Sequence, residues 1–202
     1  MSWLIAGIST GVGKTLVSAL ICEATGADYW KPVQAGDLQN SDSIIVKKLV
    51  NNKGLKIHPE AYRLLEAASL HYAAELEGIR ISREGINLPV TDKPIVVETA
   101  GGLLSPLSEN FFNIDLASHL SLPVILVVNN YLGSINHSLL SVEALRERKI
   151  KIRGIVFSGK KVPHAENFIL KHSGLPLLFS VPFLSNPDAD TISGQAALIR
   201  DL

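Results

Sequence analysis

The stretch Gly7–Thr15, GISTGVGKT, constrains the fold of this chain more than any other. The apolar run WLIAG leads into it, and LVSALICEA leads out. Strand, glycine-rich turn and helix, with a lysine opening the helix, is the context of a phosphate-binding loop. Unpaired backbone N–H groups and the positive end of the helix dipole favour an anion there. Gly11 and Gly13 let the amides turn toward phosphate oxygens with no Cβ in the way. Lys14 is placed to reach the outer phosphates and the Thr15 hydroxyl to ligate magnesium, with Val12 and Leu16 in the same nucleotide-binding segment. The spelling is irregular. The pattern G-x-x-x-x-G-K-[ST] asks for glycine at position 8, where the chain has Ile8; a glycine stands one residue earlier, at Gly7.

Strand-length apolar runs alternate with amphipathic stretches along the chain. Ser2–Ala6, Asp28–Val33, Lys93–Thr99, Leu122–Asn129, Lys151–Ser158 and Leu175–Val181 read as strands. Helical patterns cover Lys14–Ala24, Ser41–Val50, Glu66–Glu77, Ile114–Leu120, Asn136–Lys149, Pro163–Lys171 and Thr191–Arg200, with NSD placed to cap the second of these. IVV and VILVV are continuous rather than alternating, as in strands covered on both faces. The expectation is an α/β fold, with a mostly parallel sheet and helices on both sides. Its 202 residues, with no linker-like tract, suit a single phosphate-loop domain spanning 1–202.

Charge narrows the partners. Lys and Arg total 19 and Asp and Glu total 19, so no basic field attracts nucleic acid or an anionic membrane. The longest apolar run, Leu122 to Val128, is far short of the ~20 residues that span a bilayer. MSWLIAG reads as an opening strand rather than a secretion signal. Cys22 is the single cysteine, which excludes an internal disulfide and suits a small core hydrophobe in a reducing, cytoplasmic setting. The six histidines are scattered at spacings that make no metal site.

Phosphoryl transfer needs carboxylates for the metal and a cation for the charge that develops on the moving group. In parallel sheets these come from the carboxyl ends of strands. Lys31 in WKPVQAG, Asp42 in NSD and Glu98 in VVETAGG are the candidates, and Gly101 and Gly102 let the chain pass close to a ligand.

The set GISTGVGKT, KPVQAG, NSD, EAASLHYAAELEG, ETAGGLL, LPVILVVNNYLGSINHSLL and RGIVFSG resembles the dethiobiotin synthetase family, roughly from residue 3 to 187. That family's loop also carries five residues between its first glycine and GKT. The resemblance implies an ATP-dependent ligase of biotin synthesis. It would close the ureido ring of dethiobiotin from 7,8-diaminopelargonate and carbon dioxide through a carbamate and a carbamic–phosphoric anhydride, giving ADP and phosphate. It implies Mg²⁺ held by Thr15, Asp42 and Glu98, Lys14 on the phosphates, and Thr10 and Lys31 at the reacting groups. Ala35, Gly101 and Gly102 fall among its substrate contacts. A homodimer is implied, with the amides of Ser134, Ile135 and Asn136 from one subunit holding the substrate carboxylate in the other. Ser158, Gly159, Val181, Pro182, Phe183 and Asn186 fall where the family binds the nucleotide base.

Departures are equally specific. Ala35 replaces a common serine or threonine, removing a contact worth ~0.5–1.5 kcal/mol. Ser158 replaces an asparagine that reads adenine, exchanging a donor–acceptor fork for a single hydroxyl. Thr99 stands where glycine is common and would narrow the site, and Asp37 is a further candidate for the metal. The rival reading is a regulatory or partitioning-type phosphate-loop ATPase without ligase activity. Such proteins usually carry an extra lysine early in the loop, and Ile8-Ser9-Thr10 offers none.

Overall fold

The computed structural model describes residues 1–199 and 202. Its elements run β1 (Trp3–Gly7), α1 (Lys14–Thr25), β2 (Asp28–Trp30), β3 (Val33–Ala35), α2 (Asp42–Leu49), β4 (Ile57–His58), β5 (Tyr62–Leu64) and α3 (Leu70–Leu76). They continue with β6 (Ile95–Gly102), β7 (Pro106–Ser108), β8 (Phe111–Phe112), α4 (Asn113–His119), β9 (Val124–Asn129), α5 (Ser134–Glu147), β10 (Ile152–Gly159), α6 (Pro163–Ser173), β11 (Leu177–Pro182) and α7 (Ala189–Ala196).

A seven-stranded parallel sheet in the order β11-β10-β9-β1-β6-β2-β4 forms the centre. The α/β expectation holds. β1 sits mid-sheet and is buried along its length, as are the first five residues of β9, which explains their unbroken apolar runs. From β1 the chain moves one way across the sheet to β2. From β6 it moves the other way through β9 and β10 to β11. Right-handed crossovers therefore put α1 on one face and α4, α5 and α6 on the other. All the parallel strands point their carboxyl ends at the same rim, where the loops carrying the candidate residues gather.

Several boundaries differ from the sequence reading. The run Asp28–Val33 is two strands, not one: β2 stops at Trp30, and β3 joins β5 in a separate parallel pair. Pro32 lacks the N–H that a continuing ladder needs, so the chain leaves the sheet at Lys31. The helix expected at Glu66–Glu77 begins only at Leu70, and the preceding residues line a cleft instead. The last helix ends at Ala196, and Arg200 lies outside the described residues. The cap expected from NSD is not made: Ser41 is the N-cap residue of α2 without a side-chain cap bond, and Asp42 reaches across to α1. β4, β5, β7 and β8 are two or three residues long, too short to show a period.

Asp28 anchors the buried start of β2. Its carboxylate accepts from Thr91 Oγ1 (2.7 Å) and the Lys56 amide (3.2 Å), and His58 Nε2 lies 3.2 Å away. Burial alone would raise its pKa, but these bonds and the Lys93 charge hold it below the usual aspartate range. The edge strand β4 and the approach to β6 are thereby fixed to β2.

Candidate active site

The loop after β1 closes over its own lysine. Lys14 is buried, and its Nζ donates to the Ser9 carbonyl at 3.1 Å. Burial lowers its pKa, and the nearby Lys31 adds to this while Glu98 and Asp42 oppose it. Gly13 ends the loop at φ +92°, a left-handed conformation that suits glycine at the N-cap of α1. A Cβ on Gly13 would stand 2.4 Å from Ser158 Oγ, so the carboxyl end of β10 packs directly beneath the loop.

One turn further, three elements converge. Thr15 Oγ1 lies 2.6 Å from Asp42 Oδ1 and 2.9 Å from Glu98 Oε1. A hydroxyl has one proton to give, so it serves one carboxylate at a time. Glu98 is almost wholly buried, which pushes its carboxyl upward against the pull of Lys31. Asp42 is also partly buried, yet the Lys31 ammonium holds it below the usual range. Lys31 pairs directly with Asp42 Oδ2, and its Nζ is 4.0 Å from Glu98 Oε1.

Tyr29 was not foreseen from the sequence. Its hydroxyl donates to Glu98 Oε2 at 2.9 Å from a fully buried position on β2. Burial, then the Glu98 charge, raises the phenol well above its ordinary pKa, so it remains a donor. An aromatic residue inside a short strand carries no sequence signal for such a role.

Lys14, Thr15, Lys31, Asp42 and Glu98 floor a cleft of about 860 Å³. Thr10, Gly11, Gly13, Leu16, Ala35 and Gly101 also line it, with Gln34, Ala67–Leu70 and Pro187 as walls that sequence reading did not assign. Val12 is buried under the loop, and Gly102 lines a neighbouring cavity of about 470 Å³ that shares Thr10, Ser105 and Pro106 with the cleft. Ser158 and Gly159 pair with Val181 and Pro182 beside the loop, while Phe183 and Asn186 are exposed beyond them. Ser134, Ile135 and Asn136 form the first turn of α5 and line neither cavity.

Two expectations about the walls change. Thr99 does not narrow the site, because its hydroxyl turns into the sheet and donates to the Ile5 carbonyl at 3.2 Å. Asp37 is exposed and is not part of the cleft wall.

The donor set fits a magnesium ion. Two carboxylates and a hydroxyl are all hard oxygens, and among the described residues no group of three or more His, Cys, Asp or Glu forms a richer cage. Magnesium takes few protein ligands and fills its shell with phosphate oxygens and water.

Comparison with known proteins decides the family. A family model described as an AAA domain matches residues 2–191. An ATP-dependent dethiobiotin synthetase from Cytophaga hutchinsonii is 47% identical over 98% of this chain and 97% of its own. One from Christiangramia forsetii is 52% identical over 84% of this chain and 82% of its own. The chain belongs to the dethiobiotin synthetase family. Among solved structures, a ParA family ATPase from Chlorobium tepidum superposes with a TM-score of 0.60 over 98% of this chain and all of its own, at 12% identity. The cell-division ATPase MinD of Pyrococcus furiosus gives 0.57 at 15% identity, covering 98% of each chain. At that identity the likeness shows a shared phosphate-loop fold. The partitioning-type reading is therefore not favoured over the synthetase relatives. No helix among the described residues is long and apolar enough to cross a membrane.

Proposed function

We propose that the chain is an ATP-dependent ligase that closes the ureido ring of dethiobiotin from 7,8-diaminopelargonate and carbon dioxide. The observation that carries this reading is the convergence of Lys14, Thr15, Lys31, Asp42 and Glu98 on one cleft, in a chain of the synthetase family.

In this reading one amine of the substrate adds to carbon dioxide and gives a carbamate. A carbamate oxygen attacks the γ-phosphorus, the bond to the β–γ bridging oxygen breaks, and ADP leaves. The second amine then attacks the carbamoyl carbon, and phosphate departs with the bonding pair as the ring closes. The protein's task is positioning and charge neutralisation. Backbone amides from Gly11 to Leu16 and the Lys14 ammonium hold the triphosphate. Lys31 faces the carbamate and the moving phosphoryl group, with Thr10 beside them. Magnesium bound by Thr15, Asp42 and Glu98 would offset phosphate charge. Ala35, Gly101 and Gly102 border the diamine.

The base would lie against Ser158, Gly159, Val181, Pro182, Phe183 and Asn186. A single domain over 1–202, a homodimer in which Ser134–Asn136 of one subunit hold the substrate carboxylate of the other, and a cytoplasmic location complete the proposal. The helix start at Ser134 supports the carboxylate site, since the first turn of α5 has amides to give.

The assay is direct. With 7,8-diaminopelargonate, bicarbonate and Mg-ATP, phosphate release and dethiobiotin should rise together. Nucleotide binding without product would overturn the ligase reading.

Nucleotide selectivity gives a second test. Ser158 is 5% exposed, with its hydroxyl against Gly13 rather than open to a base edge. A base here meets mainly backbone and apolar groups. Values of kcat/KM for GTP and CTP should fall within about tenfold of that for ATP, roughly 1.4 kcal/mol of discrimination. Strict use of ATP would show that another group reads adenine.

A further inference from the structure

The wall of the cleft at Ala100–Gly102 is not an ordinary strand end. Ile5 pairs with Glu98 and Gly7 pairs with Gly102, so two steps along β1 are matched by four along β6. The excess around Thr99, Ala100 and Gly101 bulges out of the ladder where the cleft begins, and Gly101 adopts φ +81° to allow it. Backbone groups displaced from a ladder need other partners.

Asn113, the first residue of α4, supplies them from behind. It is 1% exposed, and its Nδ2 donates to the Ala100 carbonyl and, at 3.0 Å, to the Gly102 carbonyl, bracketing Gly101. Its own amide donates to the Ser105 carbonyl at 3.1 Å, while Ser105 Oγ accepts from the Gly102 amide at 3.0 Å. Asn113 Oδ1 is buried without a hydrogen-bond partner. A buried amide oxygen left unpaired is a standing cost, so what the side chain contributes here is its donors. Asn113 itself does not line the cleft.

We propose that Asn113 is a positioning residue: by bracing the bulge it sets where Ala100 and Gly101 stand against the diamine, and so tunes diamine affinity without touching the substrate. The identity of the diamine rests on the ligase reading above. Glu98 belongs to the last regular pair with β1, so that carboxylate is placed before the bulge begins.

Asn113→Leu keeps similar bulk and removes both donors; Asn113→Ser retains one and guards against a folding failure. For Asn113→Leu the KM for the diamine should rise about tenfold or more, with kcat and the directly titrated ATP affinity within about threefold; the serine variant should fall between. Amide deuterium exchange at residues 100–102 should quicken in both, whatever the activity. A variant with a lower Tm but unchanged diamine KM would reduce Asn113 to a structural residue and overturn the proposal, as would parallel loss of ATP affinity. Wild-type protein that binds ATP but makes no dethiobiotin would instead sink the ligase reading, and the exchange measurement would still judge the brace.

Discussion

Lys31→Ala is expected to lower kcat about a thousandfold while ATP affinity shifts by no more than about threefold. The ammonium is nearly sequestered, 4% exposed, and pairs with Asp42 within 4.0 Å of Glu98. In the proposed mechanism triphosphate binding draws mostly on the loop amides and Lys14, which the substitution leaves intact. In the proposed mechanism, what disappears is the cation facing charge that moves from carbamate to phosphoryl group, a contribution greatest at the transition state. Lys31→Arg should recover little, because a planar guanidinium is larger and does not reproduce a point charge in a packed site. Single-turnover kinetics with a separate nucleotide titration resolve the two quantities. Unchanged turnover combined with weaker ATP binding would remove Lys31 from the chemistry.

The second large effect is expected at Gly13. Alanine there would have to hold φ near +92°, costing roughly 1–2 kcal/mol, and its methyl group would meet Ser158 Oγ at 2.4 Å. Either the Ser158 hydroxyl rotates away or the loop lifts, and the strained backbone at residue 13 displaces the amides at the start of α1. ATP affinity should fall by about a hundredfold, since even modest displacement of a preorganised anion site is felt steeply. The double variant Gly13→Ala/Ser158→Gly removes the collision but not the backbone strain. It should recover about tenfold, which calorimetric titration with ATP can measure. No recovery would mean that conformation alone, not packing against β10, forbids a side chain at 13.

The candidate site was legible where chemistry forces residue types into one local pattern. Gly11, Gly13, Lys14 and Thr15 lie within five positions, and the strand and helix around them are long and apolar enough to show their periods. Lys31, Asp42 and Glu98 could be placed at strand ends and the loops after them, and the structure gathers all three with Lys14 and Thr15 on one cleft. What escaped depends on contacts between distant segments. Tyr29 looks like any buried strand aromatic until Glu98 arrives from the neighbouring strand. Thr99 looks like an intrusion into the cleft until the pairing of β1 with β6 gives its hydroxyl an acceptor. The small strands β4, β5, β7 and β8 are set by tertiary pairing rather than by intrinsic pattern. The break of β2 at Lys31 was partly visible in Pro32, but proline also permits an extended edge, so it fixed geometry without fixing sheet membership.

The wide sequence spacing around Thr15 has a consequence for how the enzyme matures. The threonine meets partners 27 and 83 positions downstream, so no early stretch of polypeptide contains a competent centre. Parallel pairing across such separations is closed late, after the entropy of long loops has been overcome. A bound triphosphate would therefore report that the segments carrying Thr15, Asp42 and Glu98 have come together, and its binding energy would protect that assembled core against unfolding.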